Sequence, residues 1–357
     1  NNGIIVRQSD NVVLEDFIDK NLDNNLKIKE NSTDIFIKCF MVESIGIRIS
    51  DCSTAFIQDS VFISGRHGII SNLGTQVFVT RVKFIDNFAN LSAGNSSSIT
   101  LIDSEFNSIH ANGIISGDSY VTAKGCRFNS LQNSFICLEH NTKTEIYDCD
   151  INIGGMVYYL SYLSEIYNEN TRIKANRFIN LWGKINIILK SIFLNIKEAG
   201  IFAEGSSDIF IEDSNIESDN DIFYLSGQTK IRIKQSFIKS KEKFCFIKDE
   251  SKVDIENSQI SSENKLIDIN LISEVNIKNS KLENNNDIMI DVHNFGYVNI
   301  EKSELISPKV FIESQFATIK CSNSKISSGN SLVESQNNSK AYFFDNKING
   351  DMCKISG

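Results

Sequence analysis

A nine-residue phrase returns about every 22 residues, and no other feature constrains the chain so tightly. It reads DIFIEDSNI from Asp208, KIRIKQSFI from Lys230, KVDIENSQI from Lys252, EVNIKNSKL from Glu274 and YVNIEKSEL from Tyr297. Its fixed points, Ser214, Ser236, Ser258, Ser280 and Ser303, stand 22, 22, 22 and 23 residues apart. A period in this range belongs to a solenoid of short stacked units, each supported by its neighbours. The fixed point extends upstream through Cys149, Cys126, Ser104, Val82 and Ser60 to Phe40 and Phe17, and downstream to Ser324 and Asn346. Between Cys149 and Ser214 the register drifts through Asn176 and Ser191, so irregular turns are expected over about 151–201. The expectation is one continuous domain over 1–357 with roughly 15 or 16 turns. No amphipathic capping helix is visible at either end, so the chain reads as a slice of a longer one or as stacking on partners.

Each phrase alternates apolar and polar residues, which is the period of a strand. The double polar step at Glu212-Asp213 marks a bend between two short strands. A further strand recurs as DIFYL from Asp221, KFCFI from Lys243, KLIDI from Lys265, DIMIDV from Asp287 and KVFIE from Lys309, and upstream as GII from Gly68 and NGII from Asn112. With one Pro and 19 Gly there are few breakers of a continuous sheet. Short strands joined by Asn, Ser, Asp and Gly turns give an all-β parallel β-helix.

Two copies, GIIVRQSDNVVLEDFI from Gly3 and IFAEGSSDIFIEDSNI from Ile201, resemble the repeat of right-handed parallel β-helix proteins, the pectin-lyase-like superfamily. The resemblance covers nearly the whole chain and implies the hand of the coil. It does not imply one function, because lyases, hydrolases, phage spikes, adhesins and scaffolds share this fold. Lyases of that kind use a carboxylate cluster for calcium and an Arg or Lys as base, and no adjacent carboxylate cluster with a stacked Arg is visible. Asp59, Asp103 and Asp213 share one repeat position on turns that are not adjacent, and Arg81, between the first two, is expected to neutralise them. Polygalacturonase-like hydrolases carry NTD, DD, GHG and RIK motifs. Gly65-Arg66-His67-Gly68 only partly matches GHG, and Arg172-Ile173-Lys174 lies more than four turns from His67.

The surface positions divide into ladders. Glu212, Lys234, Glu256, Lys278 and Glu301 alternate in sign on successive turns and read as a solvated structural face, with Arg232 and Asp254 as another such step. The recurring Ser is expected to bond to backbone, not to act as a nucleophile. The further strand carries two apolar rows. The first, from Ile222 and Phe244, is expected inside. The second, Phe223, Cys245, Ile267, Met289, Phe311 and Val333, is expected outside as a partner-binding stripe. Tyr158, Tyr159, Tyr162 and Trp182 are candidate carbohydrate-stacking aromatics, against packing on the core.

Among the eight Cys no CxxC pair occurs, and Cys126 and Cys149, at the fixed point of successive turns, read as stacked thiols with a disulfide as the alternative. His67, His110, His140 and His293 are scattered, so no metal site and no cofactor are expected. Sequons at Asn31, Asn90, Asn95 and Asn337 would be glycosylated only in a secreted protein. A net charge of -9 argues against nucleic acid, and no apolar run is long enough to span a membrane. The balance of these features falls on a non-catalytic scaffold with other protein chains, self or hetero, as partners. Polysaccharide is a second class of partner, and an extracellular or surface location is favoured. The alternative is a carbohydrate-active enzyme, a polysaccharide lyase or glycoside hydrolase, with a divergent site.

Overall fold

The computed structural model describes residues 5–8, 12–19, 26–29, 32, 34–42, 46–108, 112–130, 136–308, 312–336, 338–351 and 354–355. The fold is an all-β right-handed parallel β-helix, and the chain divides into two compact units, 1–176 and 177–357.

In the 177–357 unit each turn contributes three short strands. One turn supplies Lys230–Lys234, Phe237–Ser240 and Cys245–Ile247, and the next supplies Lys252–Glu256, Gln259–Ser262 and Ile267–Ile269. Every strand pairs in parallel with its equivalent one turn on, so that Ile231, Val253, Val275 and Val298 form one column. These are buried, as are Ile233, Ile255, Ile277 and Ile300. Each such side chain contributes about 1.5–3 kcal/mol by leaving water, which is why the sequence repeats β-branched residues at this spacing. Outside, the charge ladder is in register from Glu212 to Glu301. Lys234 reaches Glu256 at 3.3 Å and Lys278 reaches Glu301 at 4.0 Å. Arg232 chooses the other neighbour, donating to both oxygens of Asp208 at 3.0 Å, while Asp254 is served by Lys230 and Lys252.

The recurring Ser is a backbone staple. The N–H groups of Ser214, Ser236, Ser258 and Ser280 each donate to the Oγ of the Ser one turn on, at 3.1–3.2 Å. Each Oγ then donates to the carbonyl two residues before it, as Ser258 does to Glu256 at 2.8 Å. The residue before the staple takes a left-handed conformation, as at Asp213 (φ 49°), Asn257 (φ 50°) and Asn279 (φ 49°). Asn and Asp tolerate this region better than other side chains, which explains the polar bend.

The 1–176 unit is built the same way, with a different filling. Phe62, Phe84, Phe106 and Phe128 are buried and stack at 4.6–5.2 Å between ring centroids. Cys126 and Cys149 stand in for Ser, donating to the carbonyls of Lys124 and Tyr147, and both are free thiols. Two register expectations are corrected. Cys39, not Phe40, is the staple position, because its N–H meets Ser60 Oγ at 2.9 Å while Phe40 faces outward. After Cys149 the position passes to Thr171, whose Oγ1 donates to the Glu169 carbonyl, and in the 177–357 unit to Ile192, whose N–H meets Ser214 Oγ. The steps are therefore 22, 21 and 22 residues, and the expected drift through Asn176 and Ser191 does not occur.

Candidate functional site

The partner-binding stripe expected on the further strand lies inside. Phe223, Cys245, Ile267, Met289 and Val333 are each 3% exposed or less. The side chain of Phe311 lies outside the described residues. Ile222, Phe244 and Leu266 are buried too, because the chain bends immediately before the strand and points two successive residues inward. One extra residue between Ser280 and Ser303 also shifts the rows, so that Ile267 pairs with Ile290 and not with Met289.

The outward column is therefore the fourth residue of DIFYL, KFCFI and KLIDI and, after the extra residue, the fifth of DIMIDV. It runs Phe202, Tyr224, Phe246, Asp268, Asp291, Glu313 and Glu334 in unbroken parallel register. Its first part is a stack of rings at 4.6 and 5.1 Å. These rings turn their faces to one another, so they stiffen the ladder and present only edges to a ligand. Lys243 covers the end of the stack, 5.2 Å from the Phe246 centroid, and its Nζ donates to Asp268 Oδ2 at 2.9 Å.

Where aromatics give way to acids, six polar groups converge, Lys243 among them. Asp268 and Asp291 are 9% and 5% exposed on adjacent turns. Lys265 donates to Asp291 Oδ2 and lies 3.8 Å from Asp268 Oδ2. Burial pulls the Lys265 ammonium down, but Asp291, then Asp268 and Asp287, outweigh it and hold it above the usual lysine value. Asn270 Nδ2 donates to Asp268 Oδ1 at 3.1 Å. His293 Nε2 stands 2.7 Å from Asp291 Oδ1. One ligand atom from each of Asp268, Asp291 and His293 lies within 4.8 Å of the others. Two like charges on adjacent rungs repel, and the two lysines offset this pair.

The corner following these strands is apolar and exposed. Leu271, Ile272, Phe295 and Phe316 project there, Ile272 at 69% and Phe295 at 71% exposure. Leu271, Phe295 and Phe316 adopt φ of 59°, 73° and 54°. Bulky side chains rarely take this conformation, which costs of order 1–3 kcal/mol each. Phe295 and Phe316 approach to 6.0 Å between centroids.

The other expected positions do not converge on a site. Tyr158 is fully buried, accepting a hydrogen bond from Asn168 Nδ2 at 2.8 Å, so it cannot stack on a sugar. Tyr159 and Tyr162 are exposed in the 1–176 unit, where Tyr162 stacks on His140, and Trp182 is exposed in the other unit. Arg81 binds Asp59 through two hydrogen bonds, at 2.7 and 2.9 Å, which holds the Asp59 carboxyl below its usual range, so of the two acids expected to pair with Arg81 it is Asp59 that takes both bonds. Asn90 is buried and accepts from Asn87, so that sequon is closed, whereas Asn95 is exposed. His110 and the sequons at Asn31 and Asn337 lie outside the described residues. A shallow concavity of about 380 Å³ opens at Glu283, Asn285, Ser307, Pro308 and Gly329. Glu283 is its one ionisable lining group, and Lys281 pairs with it at 3.4 Å. Chemistry therefore points to the acid column, away from this depression.

Residues 177–315 match the family described as "Right handed beta helix region". This span holds Asp268, Asp291 and His293 and agrees with the observed fold. No curated protein matches the sequence. Among solved structures, that of a PL6 family alginate lyase, AlyGC, is similar over 99% of this chain and 97% of its own, with 7% identity and a TM-score of 0.22. A likeness so distant is no guide to activity.

Proposed function

We propose that the protein is carbohydrate-active, binding a polysaccharide over the acid column of the 177–357 unit and cleaving it at Asp268 and Asp291. One observation carries this reading: two buried carboxylates on adjacent rungs sit beside exposed aromatic rings. Buried charge is costly, and the column could have continued the aromatic stack of Tyr224 and Phe246. Phe295 and Phe316 supply apolar ring surface on which sugars stack. The acid pair supplies a nucleophile and an acid–base group. Their oxygens approach within 4.8 Å. Inverting hydrolysis needs about 6.5–9.5 Å between carboxyl groups to admit water, so the short separation suits a covalent double displacement. A polymeric target implies an extracellular or cell-surface location.

The test is a panel of neutral and uronic-acid polysaccharides, read by new reducing ends and by ultraviolet absorbance of unsaturated products. Cleavage by the native chain, reduced about 100-fold or more in Asp291→Asn and Asp268→Asn, is expected. No cleavage of any polymer, or undiminished cleavage by both variants, would overturn the proposal. Association with another protein chain is the second reading, favoured by the same exposed corner of Leu271, Ile272, Phe295 and Phe316. A solution mass above 40.1 kDa that falls to this value in Phe295→Ser would support it.

A further inference from the structure

Asp291 raises a question of its own. Its side chain is 7% exposed, and its Oδ1 has no hydrogen-bond partner among the described residues. Yet His293 Nε2 lies 2.7 Å from that oxygen. This close His–carboxylate contact is satisfied by a proton on the imidazole or by a bound cation, and the carboxylate is too buried to be left with neither. Lys265 serves the opposite oxygen, Oδ2. The third donor, Asp268, comes within 4.8 Å of both groups, from the adjacent rung. The column then continues with acids, Glu313 and Glu334, at the next two rungs.

We infer that Asp268, Asp291 and His293 form a binding site for a divalent transition-metal ion of the zinc or manganese class. The donor set decides the class. Calcium takes six to eight oxygen ligands and does not favour imidazole. Two carboxylates with one imidazole nitrogen suit a borderline ion, and three protein donors leave a position open for water or substrate. The fold supplies the geometry. Parallel register places Asp268 and Asp291 directly over one another, and His293 follows Asp291 by two residues as the strand ends. The Lys265 and Lys243 ammonium groups compete with the ion for the carboxylates, so binding displaces them toward solvent. Carboxylates engaged by an ion are not free to act as nucleophile and acid–base group, so this site is a different use of the same residues from the cleavage proposed above.

Titration calorimetry on metal-stripped full-length protein tests this with zinc, manganese and calcium chlorides. One equivalent of zinc or manganese per chain is expected, with calcium at least about tenfold weaker. His293→Gln and Asp291→Asn should weaken zinc binding about tenfold or more. Lys265→Met should tighten it by a similar factor, because the cation bonded to Asp291 is gone. This variant gains affinity, so misfolding cannot mimic the result, and far-ultraviolet circular dichroism checks the others. No zinc or manganese binding, undiminished zinc binding in His293→Gln, or weaker binding in Lys265→Met would overturn the inference. Polysaccharide cleavage by a chain that takes up neither zinc nor manganese in the calorimeter would refute the metal site while leaving the proposed function intact. Metal bound without any glycan activity would do the reverse.

Discussion

Replacing Ser258 by Ala should expose what the repeat's most regular residue does. The hydroxyl is 5% exposed or less and makes two bonds, accepting from Ser236 N–H at 3.2 Å and donating to the Glu256 carbonyl at 2.8 Å. The carbonyl keeps a second partner, the N–H of Gln235 at 3.1 Å, so its loss is small. The Ser236 N–H has no such reserve and is left buried and unsatisfied, at about 1–3 kcal/mol. Adding about 1 kcal/mol for the lost hydroxyl bond gives about 2–4 kcal/mol in all. The natural chain bounds the figure, since Val82 and Ile192 occupy the same position without an acceptor and the coil persists. Ser258→Cys should cost about 1 kcal/mol less, because a thiol keeps the carbonyl bond, as Cys149 does at 3.1 Å. Urea unfolding followed by circular dichroism would show a lower midpoint with an unchanged slope. A loss below about 0.5 kcal/mol for Ser258→Ala, against the range for a stranded donor, would refute the staple. So would a Cys variant less stable than Ala.

Phe84, fully buried between Phe62 and Phe106, should cost about 3–5 kcal/mol when cut to Ala, and a shift under about 1 kcal/mol in urea would show that the stack collapses to fill the gap. His67 has its pKa lowered by burial, then by Arg66 and Arg48, and its Nδ1 is buried without a partner. The unfolded chain therefore binds the proton first, so stability should fall as pH drops from about 6.5 through the lower folded value. His67→Asn should flatten that slope, and an unchanged pH profile of melting would contradict the assignment.

The repeat made the coil legible because solenoid physics writes itself in the sequence. Stacked rungs need the same residue at the same place, and Ser214 to Ser303 obey. Where another residue can fill the staple, the signal fades. Thr171 donates as Ser does and Ile192 only offers its N–H, so neither carries the Ser signature and the period is not legible there from sequence. The acid column was hidden by parity. A strand has one inward face, but the bend before it buries Ile222 and Phe223 together, and counting from the wrong one turned the core outward. KLIDI and DIMIDV already held Asp268 and Asp291 at equivalent places, and the single inserted residue before Met289 obscured their pairing. Polarity was the usable clue: an acid following Tyr224 and Phe246 in the same column can face only outward. That His293 closes on Asp291 depends on how the strand ends, which spacing alone does not reveal.

The central claim, that the acid column of the 177–357 unit is where the protein meets a glycan, is tested most directly by a crystal structure with bound oligosaccharides. The account predicts a sugar ring against Phe295 or Phe316 and a glycosidic oxygen within hydrogen-bond reach of Asp268 or Asp291. Sugar bound only at Tyr159, Tyr162 or Trp182, or in the depression at Glu283 and Pro308, would contradict it.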